Sequence, residues 1–129
     1  DVSSPLRNVE DIIKAYKFFL RKKADILITV SRSRKNPYFN IVEIRNKKVK
    51  IVKNIKKNIF RRQDAPKTFD MNASIYIWTR KALLNFRSFK KKTVLYEMPA
   101  ARSIDIDSKL DFKIVEFLLK NKHKKFIKK

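Results

Sequence analysis

Asp105 and Asp107 stand two positions apart in the segment Ser103-Ile104-Asp105-Ile106-Asp107. On an extended strand end, residues two apart share a face, so both carboxylates would project together. A pair of hard oxygen ligands on one face suits Mg²⁺ held jointly with a phosphate substrate. Asp107 has a second explanation, because a carboxylate beside a helix start complements the helix dipole. Asp105 has no capping role and is the better candidate for a functional acid. The other side chains able to do chemistry lie upstream. They are Arg7 in Ser4-Pro5-Leu6-Arg7, Arg62 and Gln63 in Arg62-Gln63-Asp64-Ala65-Pro66, and Asn72 and Tyr76 in Asn72-Ala73-Ser74-Ile75-Tyr76-Ile77.

Each of these has a plain alternative. Arg62 follows Arg61 in a basic stretch, where a solvated charge is the default. Tyr76 on a strand can serve a core as well as a pocket. Asn72 before a strand is commonly a turn residue. Ser4 has no base near it in sequence, which argues against a nucleophilic serine. His123, the only histidine, sits in a Lys-rich tail, and a chain with one His and no Cys makes no conventional zinc site.

Composition bounds the rest. The chain has 129 residues, about one domain, and 43% hydrophobic residues, enough for a core. No run of about 20 apolar residues spans a membrane, and no signal peptide is visible. Absence of cysteine removes disulfides and thiolate chemistry and fits a cytoplasmic setting. Net charge is +22, from 34 Lys plus Arg against 12 Asp plus Glu. Such a balance suits nucleic-acid binding, and equally a set of Lys-rich solvated faces. Attraction of an anionic substrate is a further use for it. Glycine is absent, so neither a P-loop nor a GxGxxG turn can exist within these residues. The chain opens on Asp1 and reads as a piece of a longer protein or a truncated one.

The elements that must position these side chains follow from pattern. Asp1 to Arg7 reads as the end of a buried strand running into a loop. Asn8 and Asp11 form a capping box for a helix whose Ile12, Ile13, Tyr16, Phe19 and Leu20 give one buried stripe. Ala24 to Val30 is a buried strand, and a helix leading into it suggests a βαβ unit. Ile41 to Ile44 and Val49 to Val52 flank Arg45-Asn46-Lys47-Lys48 as a hairpin. Lys53 to Phe69 is basic and irregular. Ala73 to Trp78 and Thr93 to Met98 are strands. Thr79 caps a short helix through Leu83, Leu84 and Phe86. Ser108 and Asp111 form a second capping box for a helix through Leu110, Ile114, Val115, Leu118 and Leu119. Residues 120–129 are a basic, frayed tail. The class is α/β, with a β-rich excursion at about 37–63 too long for a simple connection. No repeat and no second domain boundary is visible. A basic hairpin of this kind suits a partner-binding arm or a nucleic-acid finger, and the runner-up function is a basic nucleic-acid-binding module contacting through Ile41 to Val52.

Four segments in order, Ser4 to Arg7, Arg62 to Pro66, Asn72 to Ile77 and Ser103 to Asp107, resemble motifs of the acylneuraminate cytidylyltransferases, the CMP-sialic acid synthetases. The resemblance covers essentially the whole chain and corresponds to the C-terminal part of that family's domain. It implies a nucleotide-diphospho-sugar transferase-like (Rossmann-like) mixed sheet flanked by helices, with the N-terminal strands missing. It implies transfer of CMP from CTP to a sialic-acid-type nonulosonic acid, releasing pyrophosphate, for surface glycans such as lipopolysaccharide. By resemblance, Asp105 and Asp107 hold Mg²⁺ and help activate the attacking hydroxyl. Arg62 acts as a catalytic cation on the acidic sugar or the phosphates. Ser4, Arg7, Gln63, Asn72 and Tyr76 contact substrate. The excursion is the family's dimerisation arm, giving a homodimer. The related cytidylyltransferase for the eight-carbon acid of lipopolysaccharide is disfavoured by Ser103 to Asp107.

Departures qualify the match. The family's Asn-Gly is Asn72-Ala73 here, and its frequent Gln upstream of the first motif is replaced within Asp1-Val2-Ser3. A Lys often found in the arm of sialic acid enzymes corresponds to the region of Phe39, which points to a relative of sialic acid such as legionaminic or pseudaminic acid. The family's Gly- and Lys-containing CTP loop is not among these residues, so the chain alone is expected not to turn over.

Overall fold

The computed structural model describes residues 2–53, 61–85 and 92–121. Within it the chain divides into two compact units, Asp1–Ser31 with Met71–Lys129, and Arg32–Asp70. Among the described residues, no helix is long and apolar enough to cross a membrane.

The first unit is a small α/β arrangement. Helix α1 (Val9–Lys22) begins where the sequence requires it. The Asn8 side chain accepts from the Asp11 amide at 2.8 Å, and the Asp11 carboxylate accepts from the Asn8 amide at 3.1 Å. Two otherwise orphaned amides are thereby satisfied. Lys23 ends the helix in the left-handed region at φ 46°. Strand β1 (Ile26–Arg32) follows, with Ile26 through Ser31 buried. Its β-branched, apolar run explains why it takes the centre of a three-stranded sheet.

The hairpin strands of the second unit are β2 (Val42–Arg45) and β3 (Lys48–Ile51). Returning to the first unit, β4 (Phe69–Trp78) leads through α2 (Arg80–Leu84) to β5 (Thr93–Glu97). Strand β5 pairs with β1 in parallel, from Ile26 opposite Thr93 to Val30 opposite Glu97. Strand β4 runs antiparallel to β1 on the other side: the Thr79 amide bonds the Asp25 carbonyl, and Ile75 faces Thr29. The sheet is therefore mixed, in the order β4-β1-β5. Helix α3 (Lys109–Lys120) closes the unit. The core joins Ala15 and Phe19 of α1 to Ala24, Leu27, Ile75 and Met98. Phe18 meets Tyr96 of β5 edge-on at 5.8 Å, which ties α1 to the sheet.

Several expectations change. Residues 2–8 form turns rather than a strand end. Strand β4 starts at Phe69, so Asn72 lies within it and not in a turn before it. The stripe on α1 is only partly buried. Phe19 is covered, but Ile12, Ile13, Tyr16 and Leu20 are 44% to 53% exposed. Helical spacing reports which residues share a face, not whether another element covers it. On α3, Val115 alone is fully buried, while Leu110 and Phe117 lie open. Ser108 does cap α3, accepting from the Asp111 amide at 3.2 Å. The return bond is made by the Ser108 hydroxyl to the Asp111 carboxylate at 2.6 Å. Thr79 caps α2 as expected, whereas Phe86 and His123 lie outside the described residues.

In the second unit the hairpin turn is tighter than the sequence suggested. Only Asn46 and Lys47 connect β2 to β3, at φ 53° and 59°, the signature of a type I′ turn. Val42 and Ile44 face Ile51 and Val49 across the ladder, while Glu43 and Arg45 face Lys50 and Lys48. With a two-residue period, this makes one apolar and one charged face. The apolar face is open: Ile44 is 78% and Val49 68% exposed.

Candidate functional site

Asn72 is the hub of the first unit's polar interior. Its placement begins with Ala73, whose φ of 46° puts a non-glycine residue in the left-handed region. The chain kinks there in the manner of a β-bulge, and the kink turns the Asn72 side chain inward. Asn72 is 2% exposed. Its Oδ1 accepts from the Thr29 hydroxyl at 2.7 Å and from the Ser74 amide at 3.3 Å. Its Nδ2 donates to the Ser103 hydroxyl at 2.9 Å and lies 3.6 Å from the Met98 sulfur. Thr29 reaches across from β1 to accept the Ile75 amide at 2.9 Å, repairing the ladder that the kink interrupts.

Asp105 joins the same cluster. The buried Ser4 hydroxyl faces two acceptors, the Asp105 Oδ1 and the Asn72 carbonyl. A backbone bond from the Ile106 amide to the Ser3 carbonyl at 2.9 Å runs alongside. The Ser103 hydroxyl accepts from Asn72 and donates to the Pro99 carbonyl at 2.9 Å. Ser4, Asn72 and Asp105, drawn from the first, third and fourth motifs, are thus linked by hydrogen bonds across about one hundred residues of sequence. Asp105 is half-buried and Asp107 is exposed. Residues 103–107 are irregular chain and not a strand end, so alternation on a strand does not account for their placement.

Arg7 donates to the Ser74 carbonyl at 3.2 Å. With Ile12, Ser74, Ile75 and the exposed Tyr76 it borders a shallow depression of about 340 Å³. Arg62 and Gln63 belong to the second unit. There the Arg62 guanidinium donates to the carbonyls of Ser33 and Arg34. Both residues line a pocket of about 500 Å³ with Arg32, Asn36, Pro66 and Lys67. Three cationic side chains border that pocket. Asn36, buried, shapes its wall by donating to the Pro66 carbonyl at 2.8 Å.

A scan against models of protein families gives no match. Individual proteins do match. The "Post-translational flagellin modification protein B" of Campylobacter coli is 50% identical over 124 residues, which make up 95% of this chain and 52% of that protein. The "CMP-N,N'-diacetyllegionaminic acid synthase" of Campylobacter jejuni subsp. jejuni serotype O:2 is 55% identical over 98 residues, 75% of this chain and 41% of that protein. The chain is a homologue of the CMP-nonulosonate cytidylyltransferases. It spans about half the length of the curated relatives it matches.

This cytidylyltransferase homologue contains groups that its motifs alone did not disclose. Thr29 and Ser103 hold Asn72; Thr29 does not stand out in sequence, being one hydroxyl among many, and Ser103 lies within the fourth motif without a role of its own there. Asp11 was legible as a capping acid but not as half of an ion pair. Its carboxylate takes two bonds from Arg102, at 2.7 and 2.8 Å, with side chains 4% and 12% exposed. That bond to Asp11 raises the Arg102 pKa above the ordinary arginine value, against an opposing effect of burial. A lone cation in the short stretch Met98-Pro99-Ala100-Ala101-Arg102 was the available signal. Among the described residues, no group of three or more His, Cys, Asp or Glu side chains is placed to enclose a metal.

Proposed function

We propose that this chain is part of an enzyme that transfers CMP from CTP to a nonulosonic acid of the legionaminic type, releasing pyrophosphate. The observation that carries the reading is the convergence of Ser4, Asn72 and Asp105 on one cluster. These residues are far apart in sequence, and together they tie the acidic segment to the polar interior of the first unit. The names of the relatives support the acceptor class, since one is a CMP-N,N'-diacetyllegionaminic acid synthase.

In this reading Asp105 and Asp107 hold Mg²⁺. Ser4 occupies one Asp105 oxygen and leaves the second for other partners, and Asp107 is exposed. Mg²⁺ is ordinarily held by one or two carboxylates together with substrate phosphates and water, so two donors fit its chemistry. When bound, the ion neutralises charge that develops on the phosphate oxygens during transfer. The protein's part is placement. Ser4 orients Asp105, and Asn72 fixes Ser103 and so the start of the acidic segment. Arg7 and Tyr76 border the substrate depression. Within the second unit, Arg62 and Gln63 line a pocket of their own, where Arg62 with Arg32 and Lys67 offers positive charge suited to an acidic sugar or a phosphate. The hairpin of β2 and β3 is a dimer arm, since its open apolar face gains by meeting a second copy.

The fold is that of the nucleotide-diphospho-sugar transferases, completed by strands outside these residues. A chain without glycine cannot supply a Gly-containing CTP loop, so that loop comes from elsewhere in the enzyme. Asp105→Asn and Asp107→Asn in the chain joined to its upstream coding region test the reading. Each is expected to lower Mg²⁺-dependent CMP-sugar formation at least a hundredfold with the fold intact. Activity surviving both changes would overturn the metal assignment.

A further inference from the structure

The Asp11–Arg102 pair is the most completely buried ion pair among the described residues. Burying two charges has a desolvation cost that their attraction only roughly offsets, and a well-packed apolar pair often stabilises as well. An apolar pair cannot, however, fix direction. The guanidinium fork meets both carboxylate oxygens, which sets the position and the orientation of Arg102 together. The carboxylate is fixed in turn by the Asn8 amide at the start of α1.

What the pair anchors is specific. Arg102 ends a short 3-10 turn, Ala100–Arg102, and the next residue is Ser103. From there the acidic segment is tied at two more points, Ser103 to Asn72 and the Asp105–Ile106 stretch to Ser3 and Ser4. We propose that Arg102 and Asp11 are positioning residues for the acidic segment: by locking the turn after β5 onto the first turn of α1, they set where Asp105 and Asp107 stand. The inference rests on reading those acids as the centre of a cytidylyl-transfer site.

Amide hydrogen exchange on this chain tests the structural half without any need for activity. The Ile106 amide, bonded to Ser3, reports the segment; the Leu27 and Val30 amides of β1 report the core. Local opening exposes the first and spares the second, whereas global unfolding exposes all three. Arg102→Gln, and the apolar pair Asp11→Leu with Arg102→Met, are expected to speed exchange at Ile106 at least tenfold more than at β1. Arg102→Lys, which keeps the charge but loses the fork, is expected to fall between them and the parent. Equal change at Ile106 and β1, or no change at Ile106, overturns the proposal.

The second half uses the chain joined to its upstream coding region. There Arg102→Gln is expected to lower kcat tenfold or more and to leave the KM for CTP within about twofold. Faster exchange at Ile106 with kcat unaltered would overturn the positioning role in catalysis. Faster exchange at Ile106 in Arg102→Gln, with a parent protein that is itself silent with CTP, Mg²⁺ and a nonulosonic acid, would instead overturn the proposed function, while the lock on the segment would stand.

Discussion

Replacing Asn72 by alanine removes the hub of the buried network, and the structure sets the cost. The side chain makes two short bonds, 2.7 Å from Thr29 and 2.9 Å to Ser103, and accepts a longer one from the Ser74 amide at 3.3 Å. At about 1 kcal/mol net per neutral hydrogen bond, these sum to about 2–3 kcal/mol. Thr29 keeps another acceptor in the Ile75 carbonyl and Ser103 still donates to the Pro99 carbonyl, so most of any excess comes from the Ser74 amide left buried. The expected loss is therefore about 2–4 kcal/mol. Urea unfolding followed by circular dichroism measures it, with the slope unchanged. Asn72→Asp keeps the shape but buries a carboxylate. Desolvation raises that acid's folded pKa above its unfolded value, so the folded state binds the extra proton. This variant should gain stability as pH falls from 7 towards 4, relative to the parent. A cost below about 0.5 kcal/mol for Asn72→Ala, or no pH dependence for Asn72→Asp, would refute the hub argument, since surface changes alone have effects of that size.

Other consequences follow from single residues. Ala73→Gly relieves a left-handed alanine at φ 46° and should match or exceed the parent in stability by up to about 1 kcal/mol, where glycine in an ordinary strand position would weaken it; chemical denaturation decides. Lys47→Gly gives the hairpin an Asn-Gly type I′ turn and should slow amide exchange in β2 and β3 severalfold. Ile44→Asp with Val49→Asp places charge on the open apolar face and should shift the protein towards monomer in sedimentation velocity; an unchanged association state would count against the dimer arm. The Ser108 hydroxyl, followed by the backbone amides of Ser108 and Asp107, holds the Asp111 carboxyl below its ordinary value. Its contribution to stability is present above the unfolded value and is lost as pH falls through the folded one. Ser108→Ala should move the Asp111 titration upward in carbon-detected magnetic resonance.

The local signals in this sequence were legible because they are self-contained. Asn8 with Asp11, Thr79 before α2 and Ser108 before α3 each needed only neighbours within three residues to act. The apolar, β-branched run of β1 announced a buried strand for the same reason. Asn72 looks like a turn residue in sequence because its strand begins at Phe69, directly after a basic, irregular stretch, and only the kink at Ala73 turns it inward. The cluster of Ser4, Asn72 and Asp105 depends on packing across the whole first unit, which no window of sequence contains. The motifs marked these residues as chemically interesting without saying that they touch. Asp11 with Arg102 was hidden for a related reason, since a capping acid gives no sign of a second partner ninety-one residues away. Exposure was the least legible property: α1 carries the periodicity of a buried helix, yet four of the five residues of its stripe are about half-exposed.

Pyrophosphate release measured with CTP, Mg²⁺ and a panel of nonulosonic acids decides whether this chain is part of a cytidylyl-transfer enzyme. It is to be run on this chain alone and on the chain joined to its upstream coding region. Release is expected from the longer protein only, dependent on Mg²⁺ and on a sugar acid of the legionaminic type. A folded longer protein that releases none across the panel would contradict it.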